Sequence, residues 1–340
     1  MTTAEGTQRA RHLTRVLRRP EAGAAAGALA VFVFFSVVTT SFLTLPGAAT
    51  WLDSAALFGI MAVAVAMLMI GGEFDLSTGT MVGSTGLIVG VLTTSLGVSI
   101  WLAIPLALLF ALAVGATNGL LVMKTGLPSF IVTLGTFFVL QGVNVAVTKL
   151  ITGQVAIQGM ENVAGFYDAR WVFGSTVTLF GTSFRISILW WLLFTAAATW
   201  VLMRTRPGNW IFAVGGDRTS ARQVGVPVFG TKLGLFMTTA GAGWLVGMLY
   251  LFSSTTVQAS TGVHQEFVYI ICAVVGGCLL TGGYGSAVGA ALGALIYGMT
   301  AQGIAYAQWD NNWLKAFMGV MLLAAVLVNA YVRKRAEAAR

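Results

Sequence analysis

The sequence predicts an all-α, polytopic integral membrane protein with about ten transmembrane helices and a weak internal repeat of glycine-broken helices. Three observations carry this. Hydrophobic residues make up 57% of the 340 and charged residues only 9%, against roughly 25% charged in an ordinary soluble domain. So few charges cannot cover a water-facing surface of this size. The apolar residues fall into successive runs of about 20, the length that crosses a hydrocarbon core. The basic residues sit at the ends of those runs, as topology signals do. They do not form one stripe, which argues against nucleic-acid binding despite a net charge of +8.

The chain opens on a basic tail, 1–21, carrying Arg9, Arg11, Arg15, Arg18 and Arg19. The apolar run that follows, 22–45, is longer than a signal-peptide core of about 7–15 residues and reads as a retained first membrane helix. Further spans are expected at 52–71, 76–97, 100–123, 129–148, 184–203, 233–253, 266–281, 285–306 and 313–332. The eighth is short, and the second and third are joined by a tight glycine-containing turn. A second basic tail occupies 333–340. With the N-terminus inside and the spans alternating, 15 of the 19 Lys and Arg fall on the cytoplasmic side. Lys149, Arg170, Arg185 and Lys315 fall outside. This bias predicts an even number of spans and two cytoplasmic termini within a transmembrane domain of 22–332.

Two polar segments interrupt the runs. Residues 149–183, rich in Gly, Thr and aromatics, are expected outside as a short helix or turn on the external mouth. Residues 204–232 are expected inside and hold five basic residues. Within them Asp217 suits an N-cap, Gly225 a C′ position, and Pro227 stops continuation. A helix of about two turns follows at 218–224, with Ala221 and Val224 as its small apolar contact. So short a helix is marginal in water and needs a packing partner. One reading makes Asp217, Arg218, Ala221, Arg222 and Gly225 a coupling element for a cytoplasmic ATPase. The other makes them a capped loop with topogenic arginines.

Two glycine segments look alike. Gly71-Gly72 lead through Glu73, Asp75 and Ser77 to Gly79, and Gly276-Gly277 lead to Gly282-Gly283. Each is a double glycine near a span end, then a polar turn, then a glycine-bearing span. The pairing aligns spans 2–3 with 8–9, and glycine-interrupted repeats mark the binding region of many transporters. Gly285, Gly289 and Gly293 at i, i+4 spacing suit close helix packing.

Acids at membrane depth are functional candidates by default. Glu73, Asp75 and Glu266 qualify, although Asp75 also suits a cap on the third span and Glu266 a helix N-terminus. Among neutral polar residues, Asn118, Gln141, Asn144, Gln258, His264, Gln265 and Gln302 lie in or beside spans. Amides and aromatic rings suit a sugar path; interhelical hydrogen bonds are the alternative. Asn118, Gln141, Asn144 and the three acids form the candidate translocation path. Cys272 and Cys278 read as apolar packing residues. No metal-ligand cluster and no nucleophile–base set stands out, which argues against an enzyme. The chain has no Gly-Lys pair and so no phosphate-binding loop of its own. It holds no cofactor in this reading, and any ATP and magnesium belong to a separate subunit.

Several of these segments together resemble one family. Gly71-Gly72-Glu73-Phe74-Asp75-Leu76-Ser77 is similar to the double-glycine, Ile-Asp-Leu-Ser signature of ribose- and xylose-type ABC permeases. Asn118-Gly119-Leu120-Leu121-Val122 with Pro128-Ser129-Phe130-Ile131, the 213–226 loop, Glu266 to Gly277, and Leu280-Thr281-Gly282-Gly283 resemble further motifs of it. The resemblance runs from about residue 50 to 332. Glu73-Phe74 stand where one Ile is usual, Val268 where Asp follows, and Tyr284 where Arg is common. The resemblance implies a monosaccharide permease of the bacterial cytoplasmic membrane, paired with a second permease copy, expected as a homodimer. It also implies a cytoplasmic ATPase at 218–224 and an extracytoplasmic sugar-binding protein. Alternatives are an ion-coupled secondary transporter, or an ABC permease for a branched-chain amino acid or autoinducer.

Overall fold

The computed structural model describes residues 20–338, with side chains at 21–327. Most of the basic N-terminal tail, with its five arginines, lies outside the described residues, as does Arg340. Thirteen α-helices run in order: α1 Pro20–Val38, α2 Leu45–Ile70, α3 Thr78–Thr94, α4 Ile100–Thr125, α5 Ser129–Thr152, α6 Phe166–Phe173, α7 Ser187–Arg204, α8 Arg206–Gly216, α9 Arg218–Gln223, α10 Val228–Ser254, α11 Gln265–Val275, α12 Ala287–Tyr306 and α13 Asn312–Ala338. Seven of them (α1, α2, α4, α5, α7, α10 and α12) are long and apolar enough to cross a bilayer; α3, α11 and the apolar part of α13 are shorter. Four short strands make two antiparallel pairs, β1 Ala156–Ile157 with β4 Val257–Gln258, and β2 Thr176–Leu179 with β3 Thr182–Arg185.

Each predicted span contains one apolar helix, but several bounds move. The first ends at Val38 rather than 45 and gives way to a 3₁₀ turn at Thr40–Leu43. The second begins at Leu45, not 52, because Thr44 accepts a hydrogen bond from Gly47 N (3.1 Å) and Pro46 fits the first turn. The eighth loses residues 276–281 to a glycine turn. The seventh starts five residues early, at Val228. The backbone of α13 continues through the start of the expected C-terminal tail.

Of the seven long apolar helices, α2 and α10 are the most enclosed, buried around most of their circumference, as all-round apolar sequences require. Helices α12 and α7 pack on α2, α1 packs on α12, and α3 and α4 pack on α10. Small residues allow this closeness: a side chain at Gly298 would meet the Trp51 carbonyl, and one at Gly115 the Phe236 carbonyl. One end of the bundle carries α8 and α9; the other carries α6 and the β2–β3 hairpin. These are termed the loop end and the hairpin end. At the hairpin end Arg185 pairs with Asp53 at 3.3 Å, tying β3 to α2.

Two passes are broken. α2 runs from the hairpin end to the loop end, then residues 71–77 turn back into the protein and α3 continues outward. α10 runs the opposite way, then residues 255–264 turn back and α11 continues toward the loop end. Depth follows from packing. Gly243 of α10 packs on Met81 and Gly247 on Thr85, a parallel register that sets Thr78 level with Ala240. Ala240 lies near the middle of a helix of 27 residues, about 40 Å long. The first turn of α3 therefore sits at the midplane of the bundle.

Candidate functional site

The double glycines end their helices in the same way. Gly71 N–H donates to Met67 O, Gly72 N–H to Met69 O and Glu73 N–H to Leu68 O; Gly276, Gly277 and Cys278 repeat the pattern on Cys272, Val274 and Ala273. Gly72 (φ 79°) and Gly277 (φ 94°) take the left-handed position this cap requires. The two turns meet. Gly283 N–H donates to Ile70 O at 2.8 Å, and a side chain at Gly282 would lie 2.9 Å from the Gly72 Cα. Gly215 of α8 completes the junction: a Cβ there would fall 1.7 Å from Ile70 O. Thus Gly71, Gly72, Gly282 and Gly283 come together, while Gly276 instead crosses α12 at Gly289. Gly215 was not singled out from the sequence, though its Gly-Gly pair follows an apolar run.

From this junction residues 73–75 descend without regular structure into a turn at 76–77, and side chains answer several of the segment's backbone groups. Ser129 Oγ accepts from Phe74 N (3.0 Å) and Thr133 Oγ1 from Leu76 N (3.1 Å). Asp75 Oδ1 accepts from the Ser77 N–H (2.8 Å) and hydroxyl (2.6 Å). Asn118 Nδ2 donates to Ser77 Oγ, and Thr136 Oγ1 donates to Asn118 Oδ1. Non-helical backbone at membrane depth persists only with such internal partners. Asp75 and Asn118 are fully enclosed by this network. Asp75 sits at the start of α3, where the sequence also allowed a cap. Glu73 is buried and bonded to Lys232 of α10, also buried. Lys232 reads from sequence as a topology signal; its apolar helical surroundings gave no hint of an ion pair 159 residues away.

Glu266 opens α11 at the midplane. A Cβ at Gly79 would fall 2.2 Å from its Oε2 and 2.5 Å from the Gly262 carbonyl, so only glycine admits this contact. The carboxylate thus lies against the first turns of both α3 and α11, whose amide ends favour negative charge. Its Oε2 is buried without a hydrogen-bond partner. Gln141 is half-buried on α5. Asn144 is buried with Nδ2 unpartnered and lines a cleft of about 190 Å³ between α3 and α5. Among the described residues no metal-binding cluster occurs, and Cys272 and Cys278 are buried free thiols.

At the loop end α9 spans Arg218–Gln223. Asp217 caps it, accepting from Ser220 N at 2.8 Å, and this bond holds the Asp217 carboxyl below its ordinary pKa. Gly225 (φ 84°) closes it, with Val226 N–H donating to Ala221 O. Ala221 is buried against Val214 and Val228 within the chain. Val224 instead faces outward, 78% exposed, so the expected shared contact of the two is divided between inside and outside. Arg218 and Arg222 are exposed. The preceding α8 was not anticipated; Thr205, accepting from Gly208 N, and the Pro at its start are its signal.

Oppositely directed broken helices meeting at mid-depth, and a capped helical loop at one end, define a multi-pass membrane transport subunit. Residues 47–326 match the family described as "Branched-chain amino acid transport system / permease component". The chain belongs to that family and is a permease subunit of an ABC transporter. It is 29% identical over 273 residues to the inner membrane ABC transporter permease protein YjfF of Escherichia coli, covering 78% of each chain. It is 27% identical to the ribose import permease protein of Haemophilus influenzae, covering 87% of this chain and 89% of the other. It is 30% identical to an autoinducer 2 import system permease protein of Yersinia pseudotuberculosis, covering 79% and 78%.

Proposed function

We propose that this chain is the membrane-spanning subunit of an ATP-driven importer for a monosaccharide, working as a homodimer with both termini in the cytoplasm. The similarity to a ribose import permease across 87% of the chain carries this reading. The loop end faces the cytoplasm, where α9 with its exposed Arg218, Arg222 and Val224 docks on the ATPase. The hairpin end, with Trp171 and Phe180 exposed, receives the loaded sugar-binding protein. ATP binding moves α9, and the bundle alternates between two states around the midplane crossing of Gly79, Gly262 and Glu266. Partners that bind the two states unequally supply the bias.

An ion-gradient mechanism, which would use Glu73, Asp75 or Glu266, has less support because the similar proteins are ABC permeases; Glu73 is bonded to Lys232 and Asp75 to Ser77, which leaves Glu266 as its candidate. Similarity to autoinducer 2 import permeases at comparable identity sustains a second reading, with that signal as cargo. The test is ATP-dependent uptake by the reconstituted complex of D-ribose, D-xylose, autoinducer 2 and L-leucine. Uptake of a pentose or hexose supports the proposal. Uptake of autoinducer 2 or leucine alone replaces it, and uptake driven by a proton gradient without ATP removes it.

A further inference from the structure

The segment 255–264 enters the bundle from the hairpin end. β4 pairs with β1; Val257 then packs on Gly86, Thr261 on Gly83 and Gly262 on Gly79. The descent ends at His264, which precedes α11 in a left-handed backbone conformation (φ 68°) that non-glycine residues seldom adopt. Its side chain is 73% exposed, yet the contact of Gly262 with Gly79 puts it near the midplane. An exposed imidazole at that depth is expensive against hydrocarbon and stable against water. The ring is also held from behind. Phe137 of α5 lies 6.1 Å away between ring centroids, and Glu266 Oε1 stands 3.9 Å from Nδ1.

We infer that the translocation path crosses the midplane at His264, whose imidazole contacts the passing solute, a small neutral polyhydroxylated molecule. Glu266 Oε1 lies on the Nδ1 side of the ring, so Nε2 is the nitrogen left to hydrogen-bond a solute hydroxyl. Glu266 is then a positioning residue, and its lone unpartnered oxygen belongs to the same polar crossing. The strained backbone at 264 has a reason: it turns the imidazole away from the packed interior. This inference rests on the permease reading above and makes one exposed side chain a determinant of which hydroxylated solute passes.

The test uses the assembled complex with its ATPase and binding protein. The native thiols, Cys272 and Cys278, are buried, so within this chain a membrane-impermeant cationic thiol reagent, read by mass spectrometry of the permease, reports on H264C. Labelling of H264C in at least one nucleotide state is expected; labelling in none overturns the inference. With D-ribose as probe, H264A lowers uptake per ATP hydrolysed by about tenfold, the loss of one hydrogen bond. H264Q, which keeps an acceptor, recovers part of it. Uptake and ATPase activity falling in proportion in both variants would indicate a structural role only and overturn the solute contact. If the unaltered complex carries no D-ribose, the monosaccharide reading fails, while the labelling result still decides whether His264 lines a water-filled path.

Discussion

Lys232 and Glu73 invite a perturbation whose sign is not obvious. The residues are 5% and 8% exposed, so each charge depends on the other. The pair joins the first turns of α10, directly after α9, to the turn that follows α2. Removing one partner of a buried pair strands the other charge and costs about 3–5 kcal/mol, whereas replacing both with apolar residues of similar volume is often neutral or stabilising. K232M should therefore lower unfolding free energy by about 3–5 kcal/mol, and E73L should do the same by stranding the ammonium. The double variant K232M/E73L should recover most of that loss, so that its own loss falls far below the sum of the single losses, about 6–10 kcal/mol. The assay is equilibrium unfolding of the detergent-solubilised subunit, all four forms side by side. If the two single losses simply add in the double variant, the pair is not coupled and the reasoning fails.

Other predictions follow from the same contacts. G215A drives a Cβ into the Ile70 carbonyl and within 2.7 Å of Gly283 N, whereas G216A meets nothing within 4 Å; fluorescence-detected melting should show a loss of about 1–3 kcal/mol for the first and no change for the second. N118L deprives Thr136 and Ser77 of their amide partner and should cost about 1–3 kcal/mol in denaturant unfolding; an unchanged midpoint would discount the network. The depressed Asp217 carboxyl adds stability to α9 above its unfolded pKa of about 3.9, and that contribution disappears as pH falls through the lower folded value. The protection of amides 218–223 relative to intrinsic exchange should therefore be unchanged from pH 7 to about pH 5 and fall below about pH 4, while D217A is weakly protected throughout.

How much was legible follows from what each signal encodes. Runs of apolar residues report burial in lipid or protein, so ten apolar segments were readable. Run length does not distinguish a straight pass from a broken one: 266–281 reads as one short span, although the chain turns at Gly276. The 218–223 helix was readable because Asp217, Gly225 and Pro227 act locally. The resemblance of the two double-glycine segments translates into matching helix ends, because that cap needs left-handed backbone at one residue. The re-entry at 255–264 had no local sign. Beyond its own turns, its strand pairing comes from β1 and its packing from α3, far away in sequence, and its glycine partners on α3 look like ordinary packing positions. The Lys232–Glu73 pair was hidden for the same reason, since a buried ion pair is invisible until both halves are placed. Gln141 and Asn144 fell on one helix, α5, but away from the Asp75–Asn118 network, so the polar residues form separate clusters rather than one continuous line.

If an ATPase grips α9 and drives this permease, the two must purify together. The most direct test is purification of the tagged chain in mild detergent, with mass spectrometry of the retained proteins, for the natural sequence and for a variant with residues 218–224 scrambled. With the natural sequence a stoichiometric partner carrying a phosphate-binding loop is expected, lost in the variant while the permease itself remains folded. A homo-oligomer with no ATPase, or an ATPase retained equally by the scrambled variant, would contradict coupling through α9.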